Sequence, residues 1–189
     1  MIAIRRAEER GHTEQGWAAA YHTFSFDRYR DPEHTGFRKL RVLNEKSVQP
    51  GFALPRRTDQ EVEILSYVLE GALEEHDASG GRTLVRSGEL RRVHAGSGET
   101  RDAVNPSRER PVRFLEFWLT PAKGEQASAP EQRLFTLEEK RGRLKLVASS
   151  DGREGSIPLG QDTAIYASVL GRGDELRHEL GSGRHAWVQ

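Results

Sequence analysis

The stretch GFALPRRTDQEVEILSYVLEG, residues 51–71, indicates the fold of this chain more strongly than any other. Its second half, residues 63–69 (EILSYVL), mixes aliphatic, β-branched and aromatic side chains without a helical period, which is typical of a buried strand. Gly71 ends this segment. We therefore expect a strand that runs through the core and turns sharply at its end.

Further strands, separated by glycine turns, lie downstream. Residues 72–85 carry the turn signal Ser79-Gly80-Gly81 in their middle, which predicts a hairpin. Residues 112–119 (VRFLEFWL) predict another strong strand. Its inward side chains are one of two alternating sets, either Phe114 and Glu116 or Leu115, Phe117 and Leu119. The chain has 19 glycines, and short strands at this spacing favour a sandwich or barrel over βαβ units.

The composition excludes several classes of function. Lys and Arg together number 29, as do Asp and Glu, so the formal net charge is zero and we expect no nucleic acid partner. No apolar run approaches the roughly 20 residues that span a bilayer, and no signal peptide is visible, so we expect no membrane partner. The chain has no cysteine, which fits a cytoplasmic protein and excludes thiolate ligands.

A change in composition divides the chain. Residues 121–130 (PAKGEQASAP) are small and polar with proline at both ends, which is typical of a linker. We predict an N-terminal barrel at residues 1–121, a linker at 122–130 and a smaller β-rich domain at 131–189. The chain stops at Gln189 in an apparent strand, so we expect this last domain to be incomplete.

Local patterns predict the elements of the smaller domain. Thr136 and Glu139 have the spacing of a capping box, which predicts a short helix at residues 136–141. Strands are expected at residues 144–148, 156–159, 164–170, 175–180 and 184–189.

Motifs spread over nearly the whole chain resemble the pirin family, the bicupins that include bacterial quercetin dioxygenase-like proteins. The resemblance rests on GHTEQGW (11–17), HTFSF (22–26), DPEHTGF (31–37), LRVLNE (40–45), EILSYVLEG (63–71), SGEL (87–90), AGSG (95–98), NPS (105–107) and EQR (131–133). It implies an all-β fold. The expected architecture is a cupin barrel (a double-stranded β-helix or jelly roll) followed by a second, smaller and incomplete cupin-like β domain.

The resemblance also implies where a metal site would lie. The family holds a mononuclear transition metal such as iron with two histidines in an H-x-H step, then a histidine and a glutamate two residues apart. On this chain the first pair falls on Arg57 and Asp59, and the second on Arg101 and Ala103. An arginine stays protonated and has no lone pair to donate, and two arginines would repel a divalent cation. We therefore predict no metal and no other cofactor.

The former ligand positions are still expected to line a pocket. Its candidate neighbours are Glu61, Asp102 and His94. Arg57 and Arg101 could bind a small anion such as a carboxylate or phosphate. Alternatively, they fill the former metal cavity through a salt bridge with Asp59, or they point to solvent at a relaxed barrel mouth. We favour this alternative without a ligand, because buried charge is usually retained only in pairs. His22 is interpreted as a hydrogen-bonded structural residue, because no acid or base partner stands at motif spacing from it.

The sequence thus predicts a pirin-like cupin without the family metal site, acting as a non-catalytic ligand-binding or protein-interaction module. One alternative is a quercetin dioxygenase-like oxidoreductase with unidentified ligands, for which Asp59 and His94 are candidates. The other is metal-free binding of a small anion by Arg57 and Arg101, with Asp59 or Glu61 as a base. The expected partner is a small anion or a protein, and nothing in the sequence indicates an oligomeric state.

Overall fold

The chain divides into two compact units, Met1–Leu134 and Phe135–Gln189. The computed structural model describes residues 2–57, 61–77, 79–96, 100–122 and 129–189, with the backbone alone for residues 56, 57 and 100. Regular structure in these ranges is almost entirely β-strand, which confirms the predicted fold class. No helix in the described ranges has the length and apolar character needed to cross a membrane.

Unit 1 consists of two antiparallel sheets. Its strands are β1 (Gly11–Glu14), β2 (Ala18–His22), β3 (Leu40–Val48), β4 (Ala53–Arg57), β5 (Val62–Glu70), β6 (Ala72–His76), β7 (Arg82–Arg86), β8 (Glu89–Ala95), β9 (Thr100–Val104), β10 (Val112–Leu119) and β11 (Glu131–Leu134). The larger sheet has the order β1-β2-β3-β10-β5-β8-β11, and the smaller sheet has the order β4-β9-β6-β7.

The two sheets of unit 1 bury an apolar cluster between them. Phe114 of β10 and Val68 of β5 come from the larger sheet, and Leu73 of β6 and Val85 of β7 from the smaller one, all of them fully buried. Because side chains alternate along a strand, Glu116, two residues after Phe114, projects to the same inward face. Of the two sets predicted for residues 112–119, the inward one is therefore Phe114 and Glu116.

The predicted hairpin at residues 72–85 is confirmed as β6 and β7. Its turn is stabilised by Asp77, whose Oδ1 accepts hydrogen bonds from the backbone N–H groups of Ser79 and Gly81. Gly80 has a φ of +86°, a conformation that favours glycine over other residues. The turn chemistry read from the sequence thus accounts for the hairpin.

Unit 2 contains a small sheet and one turn of helix. Its elements are α1 (Leu137–Lys140), β12 (Lys145–Ser149), β13 (Ile157–Pro158) and β14 (Ile165–Ala167), with the sheet order β13-β12-β14. Thr136 and Glu139 form the predicted capping box, so the predicted short helix is confirmed. The strands predicted at residues 175–180 and 184–189 are wrong, because these segments run without regular structure. Leu180 and Val188 are exposed, and Leu176 and Trp187 are only half-buried.

The predicted limits at 1–121, 122–130 and 131–189 remain a prediction of the domain boundaries. In the structure β11 falls within unit 1, where it pairs with β8 in antiparallel register. Residues 123–128 of the predicted linker lie outside the described residues.

Candidate functional site

Polar side chains run in register across five strands of the larger sheet. Asn44 on β3 lies opposite both His22 on β2 and Glu116 on β10. Ser66 on β5 lies opposite both Glu116 and Arg91 on β8. Cross-strand partners project to one face of a sheet, and this face is the inward one. We call these five residues the inner polar row.

Two ion pairs compensate the charges of the inner polar row. The Lys46 ammonium donates to Glu116 Oε2 at 2.5 Å, and the two side chains are 6% and 0% exposed. Across the core, Arg91 Nε donates to Glu75 Oε2 at 3.1 Å, and Ser66 Oγ donates to Glu75 Oε1 at 2.6 Å. Buried charges persist in proteins when they are paired in this way.

His22 is the imidazole of the row, and it is held neutral by its surroundings. Its Nδ1 lies 3.1 Å from Asn44 Oδ1, and its Nε2 lies 2.9 Å from Thr13 Oγ1. Burial lowers the pKa of His22 below its ordinary value of 6.5, and the positive charge of Lys46 acts in the same direction against the hydrogen bond with Asn44. In the neutral ring Nδ1–H donates to Asn44 and Nε2 accepts from Thr13. The interpretation of His22 as a hydrogen-bonded residue is confirmed.

Aromatic rings cover one end of the row. Phe26 meets Trp118 edge-on with ring centroids 5.3 Å apart, and it stacks on His22 at 5.8 Å. The ammonium of Lys46 lies 5.2 Å from the centre of the Phe26 ring, within cation–π range. Tyr29 stacks on His22 at 5.9 Å. Both Phe26 and Tyr29 belong to residues 23–39, which we call the cover loop.

The N-terminal segment anchors the cover loop. Arg5 donates to Tyr29 Oη and to Asp31 Oδ2, each at 3.0 Å, and also to the carbonyl oxygen of Thr23. Burial works to raise the pKa of Asp31, but hydrogen bonds from His34 and Tyr29 outweigh it and leave this pKa below its usual value. The anchored carboxylate is therefore ionised at neutral pH.

Ala103, at the predicted position of the family glutamate, is fully buried among apolar side chains of the core. It lies on β9 opposite Leu54 of β4 and Glu75 of β6. A methyl group cannot ligate a metal. The nearest register partner that carries a carboxylate, Glu75, is bonded to Arg91 and Ser66.

Arg101 lies two residues before Ala103, and its Nη2 is 3.4 Å from the backbone carbonyl oxygen of His94. In the β4–β9 register Arg101 lies opposite Arg56, whereas Arg57 lies opposite Thr100. The side chain of Arg57 and all of Asp59 are outside the described residues. The predicted cluster of Arg57, Asp59 and Arg101 therefore stays a prediction.

The predicted neighbours of the pocket are spread over different parts of unit 1. Glu61 is exposed, and Asp102 is half-buried opposite His76. His94 is paired with Glu63, so its side chain projects from the opposite face of the larger sheet to Arg91. The structure does not bring the side chain of His94 to the inner polar row.

A transition metal does not fit the described part of the predicted ligand set. Iron, nickel and similar ions need imidazole nitrogens or carboxylate oxygens, and this half offers a guanidinium and a methyl group. Within the described ranges, no three His, Asp or Glu side chains come together as a possible metal site. The residues at positions 101 and 103 do not suit the metal that the family resemblance implies.

The sequence analysis missed most of the inner polar row. It named only His22 and Glu116, the latter as one of two possible inward sets. Lys46 and its partner Glu116 are 70 positions apart, so no local motif links them. A weak signal was available in β10, where Glu116 interrupts the apolar run of residues 114–119.

The geometry defines a class of protein: a two-sheet antiparallel β-barrel with a small second β unit is a cupin-type architecture. The family profile of pirin matches residues 3–119, and the profile described as the quercetinase C-terminal cupin domain matches residues 146–189. This chain belongs to the pirin family.

Curated relatives agree with this assignment. Quercetin 2,3-dioxygenase of Escherichia coli K12 is 35% identical over 189 residues, which covers 100% of this chain and 80% of the relative. Pirin-like protein YhaK of the same organism is 31% identical over 189 residues, with 100% and 79% coverage.

Solved structures have the same fold. The crystal structure of the bacterial pirin YhhW from Escherichia coli, in complex with nickel(II), matches with a TM-score of 0.76 and 37% identity. The match covers 88% of this chain and 70% of that one. The crystal structure of YhaK matches with a TM-score of 0.61 and 30% identity, covering 75% and 60%.

Proposed function

We propose that this chain is a pirin-family cupin that has lost the family metal site and acts as a non-catalytic ligand-binding or protein-interaction module. The observation that carries the proposal is Ala103, a buried methyl group in an apolar cluster at the position where the family places a carboxylate. A carboxylate ligand is what an oxygen-activating metal needs there. This position has no carboxylate, and Arg101 stands where the family has a histidine two residues earlier. Neither side chain can therefore ligate a divalent cation.

The Glu75–Arg91 ion pair supports the same proposal. Glu75 is the register partner of Ala103, and its carboxylate accepts hydrogen bonds from Arg91 and Ser66. The Glu75 carboxylate, the nearest in register to the former ligand positions, is thus engaged by a guanidinium and a hydroxyl group. The ion pair stabilises the interior without a metal.

The decisive experiment compares this protein with the Escherichia coli quercetin 2,3-dioxygenase relative. Both are purified without chelator, challenged with nickel, iron, manganese and copper, and assayed for bound metal and for oxygen uptake with quercetin. We expect metal well below one equivalent and no oxygen uptake by this protein, with the relative as positive control. One equivalent of a single metal, with oxygen uptake that a chelator abolishes, would overturn the proposal.

That contrary outcome would favour the dioxygenase alternative, in which unidentified ligands such as Asp59 and His94 hold the metal. The His94→Ala variant tests the point directly, because it should then lose the metal. The outward projection of His94 from β8 argues against this assignment.

Metal-free binding of a small anion by Arg57 and Arg101 is a second candidate function, with Asp59 or Glu61 as a base. The half-buried side chain of Arg101 favours it, since a guanidinium near the barrel interior can bind a carboxylate or phosphate. Calorimetry with inorganic phosphate and with acetate on wild type and Arg101→Ala tests it. Loss of binding in the variant supports the candidate, and equal binding by both proteins rules it out.

The proposal includes a cytoplasmic location, supported by the absence of cysteine from the sequence. The expected partner is a small anion or a protein rather than a nucleic acid or a membrane. A formal net charge of zero supports this choice, because nucleic acid binding depends on a basic surplus.

A further inference from the structure

Two buried hydrogen-bond donors lie together at the covered end of the inner polar row. They are Asn44 Nδ2 and Trp118 Nε1, and neither has a hydrogen-bond partner among the described residues. Asn44 is 0% exposed. Leaving a buried N–H group unbonded costs free energy, so such groups call for an explanation.

Both donors belong to one patch of the sheet. Asn44 lies opposite Glu116, and Trp118 follows Glu116 by two residues on the same inward face. Side chains in this diagonal relation have their Cα atoms about 7–8 Å apart, within reach of one small molecule. The ring of Phe26 packs edge-on against Trp118 and stacks on His22, which is itself bonded to Asn44.

We propose that Phe26 closes a binding site for a small, neutral, monocyclic aromatic compound that carries a carbonyl or hydroxyl oxygen. The ring of the ligand replaces the ring of Phe26 against Trp118. Its oxygen accepts hydrogen bonds from Asn44 Nδ2 and Trp118 Nε1. This inference deepens the proposed function, on which it rests for a barrel that binds a ligand rather than a metal.

The surrounding charges select a neutral ligand. Lys46 and Glu116 already compensate each other at 2.5 Å, and burial keeps His22 neutral. A charged ligand would therefore add an unpaired buried charge, which is costly. A neutral oxygen acceptor instead satisfies the two donors and adds no charge.

The cover loop provides the entrance. Phe26 packs on Trp118 and on His22, so a ligand ring that takes this place requires Phe26 to move. Phe26 and Tyr29 exchange backbone hydrogen bonds of 3.0 Å in a tight turn with Asp27 at a φ of +51°. Arg5 holds this turn through Tyr29 and Asp31. The turn can move as a unit when these side-chain contacts release.

The test is a titration of ¹⁵N-labelled protein with acetophenone and phenol, observed at the indole N–H signals of the tryptophans. Toluene is the control probe, because it has the same ring without an acceptor oxygen. We expect a saturable downfield shift of the Trp118 signal with acetophenone or phenol and no such shift with toluene. Equal responses to toluene, or no shift at millimolar probe, would overturn the proposal.

Matched variants sharpen the test. Trp118→Phe removes the donor and keeps a ring, so we expect acetophenone binding to weaken about tenfold. Trp17→Phe is the control, because Trp17 stacks on Phe52 away from this patch, and its affinity should equal that of wild type. Phe26→Ala removes the plug and should raise the affinity about tenfold. If Trp118→Phe fails to fold, an unchanged affinity in Phe26→Ala still contradicts the proposal.

A water molecule bound to both donors is the competing explanation, and nuclear Overhauser effects from water to the Trp118 indole N–H in the free protein would establish it and overturn the proposal. The metal assay is independent of the titration. If the protein is metal-free and does not bind acetophenone, this inference alone is refuted. If the protein binds one equivalent of metal, the proposed function is refuted whatever the titration gives.

Discussion

Ala103 and Arg101 stand two residues apart on β9, so their side chains project to the same face of the smaller sheet. The methyl group of Ala103 completes an apolar cluster with residues such as Leu73 and Phe114. A carboxylate at this position would need a metal or another cation beside it to be stable. The chemistry of one side chain thus links the packing of the core to the proposed loss of the metal site.

We predict that Ala103→Glu destabilises the protein through its charge. At pH 7 it should be about 2 kcal/mol less stable than Ala103→Gln, which has nearly the same volume and no charge. Urea unfolding of both variants measures the difference, which should shrink as the pH approaches 4 and the carboxyl protonates. If added nickel restored the stability of Ala103→Glu, the neighbouring side chains would have to include ligands for it.

The pH dependence of stability tests the environment of His22. Its folded pKa lies below 6.5, so between that value and 6.5 the unfolded chain binds more protons than the folded one. The contribution of His22 to the free energy of unfolding is therefore fully present above pH 6.5, and it decreases as the pH falls towards the folded pKa. We expect His22→Gln to show a flatter decline than wild type in urea unfolding between pH 7.5 and 5. Parallel curves would contradict the lowered pKa.

At the scale of the strands, β3 carries polar residues on both faces. Asn44 and Lys46 project inward, whereas Glu45 forms ion pairs on the outer face with Arg10 and Arg113. An alternating pattern cannot tell which face is buried when both faces are polar. The inward side of β3 is fixed only by its pairing with β10, which carries Phe114 and Glu116.

Removing one partner of the Lys46–Glu116 pair should strongly destabilise the pairing of β3 with β10. Lys46→Met leaves a fully buried carboxylate without its ammonium partner, which should cost about 3–5 kcal/mol in urea unfolding. Adding Glu116→Gln to the same protein should recover much of this loss.

The matched control is Arg113, which lies on β10 together with Glu116. Arg113 pairs with Glu70 at 2.7 Å and with Glu45 at 2.8 Å, but the three side chains are 42%, 64% and 25% exposed. Arg113→Met should therefore cost only about 1 kcal/mol or less. Equal losses for Lys46→Met and Arg113→Met would contradict the role given to burial.

The elements that the sequence predicted well depend on local signals. The strand at residues 112–119 coincides with β10 because its apolar run is dense, and the turn of the β6–β7 hairpin follows from Asp77 and the glycines after it. The capping box at Thr136 is likewise local. The inner polar row depends instead on the register of five strands, which no single segment encodes. The strands wrongly predicted after residue 174 had alternation without a partner strand to bury it.

For the whole molecule, the pirin fold is retained around an interior whose charges are paired with each other. The two ion pairs at the inner polar row, Lys46–Glu116 and Glu75–Arg91, join residues that are 70 and 16 positions apart in the sequence. Such a network stabilises a barrel without a metal, provided that every member keeps its partner. The fold could be identified from sequence motifs. The polar contacts inside the barrel could be identified only from the register of the paired strands.

Reinstating the family ligands should reverse the proposed loss of the metal site. We predict that the variant Arg57→His, Asp59→His, Arg101→His and Ala103→Glu binds nickel with one equivalent and gains thermal stability from it, because ligand binding to the folded state stabilises it. The triple variant that keeps Ala103 is the control and should bind nickel more weakly. If the quadruple variant folds but binds no nickel, the four ligand positions are not the only feature of this barrel that prevents metal binding.

The metal content of the wild-type protein tests the central claim most directly. Mass spectrometry on protein purified without chelator, and again after incubation with nickel, iron, manganese, copper and zinc, gives the number of equivalents bound. The account predicts amounts well below one equivalent for every metal. One equivalent of a single transition metal, retained after gel filtration, would contradict it.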